Sequence, residues 1–233
     1  MTPELFVGLD VYHDLSSRSA VMNMAIDEAL LEAANVPSLR FYRWQHPALS
    51  FGYFCPFANV APYQKERDLV RRWTGGGIVF HGEDLTYSIV IPRQDPAFKE
   101  SSRTIYEKVH RAICDALSVA GQLAELVPVA AVRNRRIPPV PDGRHSNCFA
   151  NPVRSDVLIN GKMVAGAAQR RTRIGLLQQG SIQNADLSDD FADRFARGLG
   201  LDCSEATIGD PVLTRAMELV RQKYAADRWL QWR

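Results

Sequence analysis

Asp156-Val157-Leu158-Ile159-Asn160-Gly161-Lys162-Met163-Val164-Ala165-Gly166-Ala167-Ala168-Gln169 reads as a β-hairpin. Two apolar runs flank an Asn-Gly pair, and a type I′ turn needs such a pair because both of its central residues take positive φ. Alternation along the second strand places Lys162, Val164, Gly166 and Ala168 on one face. Leu176 to Ile182 supplies the next strand. Upstream, Leu39 to Trp44, Leu49 to Phe54, Val70 to Trp73, Ile78 to Phe80 and Leu85 to Ile91 have the same character. Met22, Ala25, Ile26, Ala29, Leu30 and Ala33 recur at helical spacing and predict a helix near 19–34. Ile105, Val109, Ile113 and Leu117 predict another over roughly 103–120, stopped at Gly121. Two more helices are expected near 187–198 and 211–225. Hairpins interleaved with helices point to an α+β fold with a mixed or antiparallel β-sheet and flanking helices, rather than a doubly wound parallel sheet. One domain over residues 1–233 is expected.

The second telling stretch is Arg71-Arg72-Trp73-Thr74-Gly75-Gly76-Gly77-Ile78-Val79-Phe80-His81. Three glycines in a row bring no side chain to pack and cost backbone entropy. They suit a place where a ligand approaches backbone N–H groups. The adjacent arginines suggest that this ligand carries an anion or a polarised carbonyl. The plainer alternative is a tight hairpin with solvated arginines. His81 either closes the site by hydrogen bonding or is a packed or surface histidine.

Composition narrows the class. The formal net charge of +2 gives no bulk attraction to nucleic acid or to an anionic membrane. No run approaches the roughly 20 apolar residues of a membrane span. The N-terminus lacks the pattern of a signal peptide, so a cytoplasmic chain is expected. The four cysteines, at 55, 114, 148 and 203, are too scattered for a metal site. In a reducing compartment they are expected as thiols. No carboxylate pair or His/Cys cluster stands out, and no Ser/His/Asp arrangement can be assembled from spacing alone. Residues 126–147, rich in Pro, Arg and Asn, read as a mobile loop, with Arg133-Asn134-Arg135-Arg136 as a solvated basic run.

Cys148 follows that loop and precedes the hairpin. It is either a small buried hydrophobe or a nucleophile. A nearby ammonium stabilises a thiolate, which makes Lys162 its natural companion. Lys162 itself is either a solvated strand end or a functional group.

The stretches 71–81 and 147–182, with Gln178-Gln179-Gly180-Ser181, resemble the lipoate/biotin protein ligase superfamily. So do Met22-Asn23-Met24-Ala25-Ile26-Asp27-Glu28 and Arg40-Phe41-Tyr42-Arg43-Trp44. The resemblance covers nearly the whole chain. It is greatest to the octanoyltransferases that carry a cysteine shortly before the family lysine. It implies that fold, with Lys162 at the position that contacts the acyl carbonyl and Cys148 as the acyl-accepting nucleophile. It also implies substrate contacts at Arg72, Gly75, Gly76, Gly77, Ile78, Val79, Phe80 and His81, and at Val164, Ala165, Gly166 and Ala167. The implied partners are an acyl carrier protein and lipoyl-domain acceptor proteins, with no nucleic acid and no membrane, and the chain is expected to be a monomer. No cofactor or metal is expected. Two departures keep a second function in view. Gly75-Gly76-Gly77 is more like the ATP-dependent lipoate ligases, and Gln179 stands where the octanoyltransferases favour histidine. An ATP-dependent lipoate or octanoate ligase, using ATP and Mg, is therefore the first alternative, and a non-catalytic carrier-binding protein that kept the fold but lost turnover is the second.

Overall fold

A computed structural model describes residues 4–128 and 152–232. Cys148 and most of the expected loop lie outside the described residues.

Eight strands form one mixed sheet. In chain order they are β1 (Phe6–Arg18), β2 (Ser38–Trp44), β6 (Leu85–Pro92), β7 (Ala124–Leu126), β8 (Val157–Ile159), β9 (Lys162–Arg171), β10 (Gly175–Ile182) and β11 (Gly200–Glu205). Their spatial order is β11-β1-β2-β6-β10-β9-β8-β7. β1 runs parallel to both β2 and β11, and the remaining pairs are antiparallel. A second sheet joins β3 (Ala48–Phe51), β4 (Asp68–Arg71) and β5 (Ile78–His81), with β3 in the middle. The α+β class with a mixed sheet is what the sequence predicts.

Helices cover both faces of the large sheet. Leu39, Phe41, Ile89, Ile91 and Leu176 point into a core shared with α2 (Ser102–Val119) and α3 (Phe191–Arg197). Tyr42, Trp44, Val90 and Leu177 point the other way, against α1 (Ala20–Ala33) and α4 (Asp210–Leu219). Two-sided burial is why neither β6 nor β10 reads as a clean alternation: every residue of both strands is buried, including the polar Gln178-Gln179 pair. α2 starts where the Ser101 side chain accepts from the backbone N–H of Thr104, satisfying one of the helix's orphan donors.

Three strands were not legible in advance: β1, β7 and β11. The helix expected near 211–225 is α4 followed by a π-helical turn, Val220–Tyr224. Asn160 and Gly161 adopt φ of 50° and 75°, as the type I′ turn requires. One expectation for the hairpin needs correction. Val157 pairs with Ala165 and Leu158 with Met163, so Val164 is an extra residue, a β-bulge. The bulge resets the alternation. Val164 and Ala165 join the core beneath α2, whereas Met163, Gly166 and Ala168 line the opposite face.

Candidate active site

The small sheet lies over the α1 side of the large sheet, and a cavity of about 190 Å³ occupies the seam. Its lining comes from both sheets. Tyr42, Trp44, Thr86, Gln179 and Ser181 belong to the large one, and Ser50, Val79 and His81 to the small one. The walls are mainly apolar: Met24, Val79, Met163, Gly166, Ala167 and Ala168 contribute directly.

The glycine loop closes one side. Gly76 has φ of 83°, and a Cβ there would stand 3.3 Å from the Cβ of Ala168 across the cavity. A side chain at Gly76 would therefore be both strained and in the ligand's space. The two arginines serve the loop and its surroundings. Arg71 is fully buried and donates to the carbonyls of Tyr53, Cys55, Trp229 and Leu230. Arg72 lines the cavity and donates to Ser50 Oγ at 2.7 Å and to the carbonyls of Gly75 and Gly77 at 3.1 and 2.9 Å. Of the pair expected to face an anion, only Arg72 reaches the cavity, and it braces the loop from inside.

The expected site residues divide accordingly. Arg72, Gly76, Gly77, Val79, His81, Gly166 and Ala167 meet at the cavity. Ile78 packs with Leu49, Phe51 and Val60, and Phe80 packs edge-on against Tyr63, because alternation along β5 turns both away. Gly75 contributes its carbonyl to Arg72. Val164 and Ala165 lie in the core. Lys162 is exposed at the start of β9, and its neighbour Met163 takes the cavity-facing position. Cys148 precedes Val153, a cavity-lining residue, by five positions in sequence.

Sequence reasoning missed two polar clusters. The first surrounds His81. Its Nδ1 stands 2.7 Å from Asp84 Oδ2 and its Nε2 2.6 Å from Ser50 Oγ. A carboxylate at Nδ1 fixes the proton there, so Nε2 accepts from the serine. Asp84 also accepts from Thr86, Ser181 and the backbone N–H of Gly82. Burial pushes Asp84 up, but His81 and these donors outweigh it and bring its pKa down to about 2. Burial lowers the pKa of His81, against the opposing pull of Asp84, so the ring is neutral at neutral pH. The ring of Trp44 stacks on His81 at 4.0 Å. His81-Gly82-Glu83-Asp84 was the available signal, a histidine three residues before a carboxylate.

The second cluster is at the β8–β9 edge. Asp156 accepts from Tyr106 Oη at 2.5 Å and from the backbone N–H of Val153 at 2.6 Å. Burial raises its pKa to about 6 despite those donors. Asp156 and Tyr106 both line the cavity, beside Met163 and Gly166. A carboxylate poised there exchanges a proton near neutral pH.

Gln179 has a structural explanation. Its Oε1 accepts from Thr74 beside the glycine loop at 2.8 Å, and its Nε2 donates to Asp27 at 2.7 Å. An amide offers a donor and an acceptor on one end, so it bridges loop and helix without carrying charge. Among the described residues, no group of three or more His, Cys, Asp or Glu side chains is placed to hold a metal ion. Nor is any helix among them long and apolar enough to cross a membrane.

A family model described as lipoyl protein ligase A/B catalytic domain matches residues 19–199. A protein named octanoyltransferase LipM from Symbiobacterium thermophilum is 30% identical over 269 residues, covering 93% of this chain and 96% of that protein. A solved lipoate-protein ligase A bound with ATP superposes with a TM-score of 0.75 at 22% identity, covering 97% of this chain and 99% of that one. The ligase of an archaeal lipoylation system from Thermoplasma acidophilum, studied with its E2 lipoyl domain, gives 0.72 at 20% identity, covering 97% and 96%. These two structures speak to the fold.

Proposed function

The chain belongs to the lipoyl protein ligase A/B catalytic domain family, and from that premise we propose that it is an octanoyltransferase of lipoate synthesis. It takes an octanoyl group from acyl carrier protein as a thioester on Cys148 and passes it to a lysine of a lipoyl domain. The observation that carries this reading is the similarity to an octanoyltransferase over 93% of the chain. The apolar cavity supports it, since each buried methylene of an acyl chain contributes about 0.8 kcal/mol.

The acyl chain lies along Met24, Val79, Met163 and Ala168, under the glycine loop. Cys148 thiolate attacks the carrier's thioester carbonyl. A new S–C bond forms, the carrier's C–S bond breaks, and the carrier thiolate leaves. The acceptor lysine's neutral amine then attacks the Cys148 thioester, the amide forms, and the Cys148 thiolate leaves. Asp156 receives the proton that the amine sheds. With its pKa at about 6, it is mostly ionised at neutral pH and available as a base. Lys162, exposed and next in sequence to the cavity-lining Met163, is assigned to the rim, where it would orient the thioester carbonyl and favour the Cys148 thiolate. No nucleotide is required.

The test is acylation of a lipoyl domain read by intact mass. Octanoyl carrier protein should suffice without ATP. Cys148→Ser should lose nearly all transfer, and the enzyme alone should carry a thioester on Cys148. Activity that requires ATP and free octanoate, and that survives Cys148→Ser, would replace this reading with the ligase.

A further inference from the structure

Ser50, His81 and Asp84 form an unbroken hydrogen-bonded chain that ends on the cavity. The chain comes from strand register. Ser50 of β3 pairs with Val79 of β5, so His81, two residues on, is its diagonal neighbour on the same face. Ser50 and His81 both line the cavity. The three side chains have the nucleophile, base and orienting carboxylate of an acyl-transfer triad, in the tautomer that such a triad needs. Arg72 Nη1, 2.7 Å from Ser50 Oγ, puts a positive charge beside the place where an oxyanion would develop.

We propose that Ser50, His81 and Asp84 are a second acyl-accepting site, which hydrolyses medium-chain acyl thioesters and esters. The inference does not rest on octanoyl transfer through Cys148. Its substrate class follows from the apolar walls around Ser50. Ser50 Oγ attacks the carbonyl and its proton passes to His81 Nε2. The Oγ–C bond forms, the thioester C–S bond breaks, and the departing thiolate takes the proton from His81. Water then attacks the acyl-serine, giving one proton to Nε2. The Oγ–C bond breaks, Ser50 recovers the proton, and the free acid leaves. Asp84 remains ionised throughout and holds the ring, as does the stacked Trp44. A neutral buried imidazole is the form that accepts the serine proton.

Two measurements on the full chain test this. First, the native protein is treated with an alkyl fluorophosphonate, which reacts with activated serines, and the label is mapped by peptide mass. Ser50 should carry it. Second, Cys148→Ala is supplied with octanoyl-N-acetylcysteamine. An octanoyl adduct should form on Ser50 that survives neutral hydroxylamine, as an oxyester does and a thioester does not. Adding Ser50→Ala or His81→Gln should lower hydrolysis by on the order of 100-fold or more. An unlabelled Ser50 in the native protein, or hydrolysis indifferent to Ser50→Ala, would make the chain a structural brace of the glycine loop. Transfer to a lipoyl domain is scored separately, so either proposal can fail without the other.

Discussion

Two buried polar networks sit on the same side of the large sheet, and they are built to different ends. The first surrounds Arg40, which is fully buried. Its Nε and Nη2 donate to Asp14 at 3.1 and 2.7 Å, its Nη1 to Asp27 at 2.8 Å, and its Nη2 also to the Asn23 side chain at 2.8 Å. Ser88, Tyr42 and Gln179 donate to the Asp27 carboxylate as well. The second surrounds His81, and its members Ser50, His81, Thr86 and Ser181 face the cavity. Charge burial is common to both. What differs is closure of the charges: Arg40, Asn23 and Asp27 are fully buried between β2 and α1, and only their partners Tyr42 and Gln179 line the cavity, whereas the His81 chain itself ends at the cavity with a hydroxyl. A closed network spends its hydrogen bonds on fixing a helix to a sheet. An open one leaves a proton path that a ligand can reach.

The comparison breaks most sharply at Arg40. Arg40→Ala leaves Asp27 as a buried carboxylate without its guanidinium and Asp14 with Arg18 alone, a loss of about 3–5 kcal/mol. Thermal unfolding should fall by roughly 10 °C on the scale of chains this size. His81→Gln keeps a hydrogen-bonding side chain at that place and should cost clearly less. Equal losses for the two variants, measured by calorimetry, would erase the distinction between a closed and an open network.

The contrast also marks what the sequence could tell. The hairpin was legible because Asn160-Gly161 encodes its own backbone geometry locally. The helices α1 and α2 were legible from period alone. β1 was not: it runs parallel to partners that start near residue 38 and residue 200, and its sequence mixes Asp10, His13, Asp14 and Ser16 into the apolar pattern. The cavity residues contributed by single loops, such as Gly76 and Gly77, were found. Ser50 was not, because only the β3–β5 register brings it to His81, and nothing local in Leu49-Ser50-Phe51 signals that. The bulge at Val164 is likewise a property of pairing, and it moved Met163 rather than Lys162 to the cavity. For Cys148, residue type and resemblance remain the whole basis.

A middling effect is expected from pH, and it has opposite signs at two carboxylates. Asp84 has its pKa lowered from 3.8 to about 2, so its contribution is present above pH 4 and lost as pH falls toward 2. The shift corresponds to about 2 kcal/mol. Asp156 is raised from 3.8 to about 6, so its ionised form destabilises the fold at neutral pH. Stability from this group rises as pH falls from about 6 to about 4. Asp84→Asn should flatten the acid limb of a urea-unfolding series, and Asp156→Asn should flatten the limb between pH 6 and 4. A single variant that flattened both would mean that the two clusters are coupled, and the separation of the His81 chain from the β8–β9 edge would fail.

The smallest effect on stability is expected at Lys162, and it sharpens the comparison at the hairpin itself. Lys162 is exposed, so Lys162→Ala should change stability by no more than about 0.5 kcal/mol. Met163 is buried in the cavity wall, with its Cε packed over Gly166. Met163→Ala should cost about 2 kcal/mol, the low end for a buried methionine, because it opens onto an existing cavity rather than a sealed core. Function should divide the other way. If Lys162 meets the thioester carbonyl as proposed, Lys162→Ala should be deficient in transfer although the acyl chain still binds. Met163→Ala should weaken acyl binding, raising the KM for octanoyl carrier protein, with a lesser change in kcat. If Lys162→Ala transfers at the native rate while folded, the polar work at this end of the cavity passes to Asp156 and Tyr106, the ionisable groups that the structure places against Met163 and Gly166.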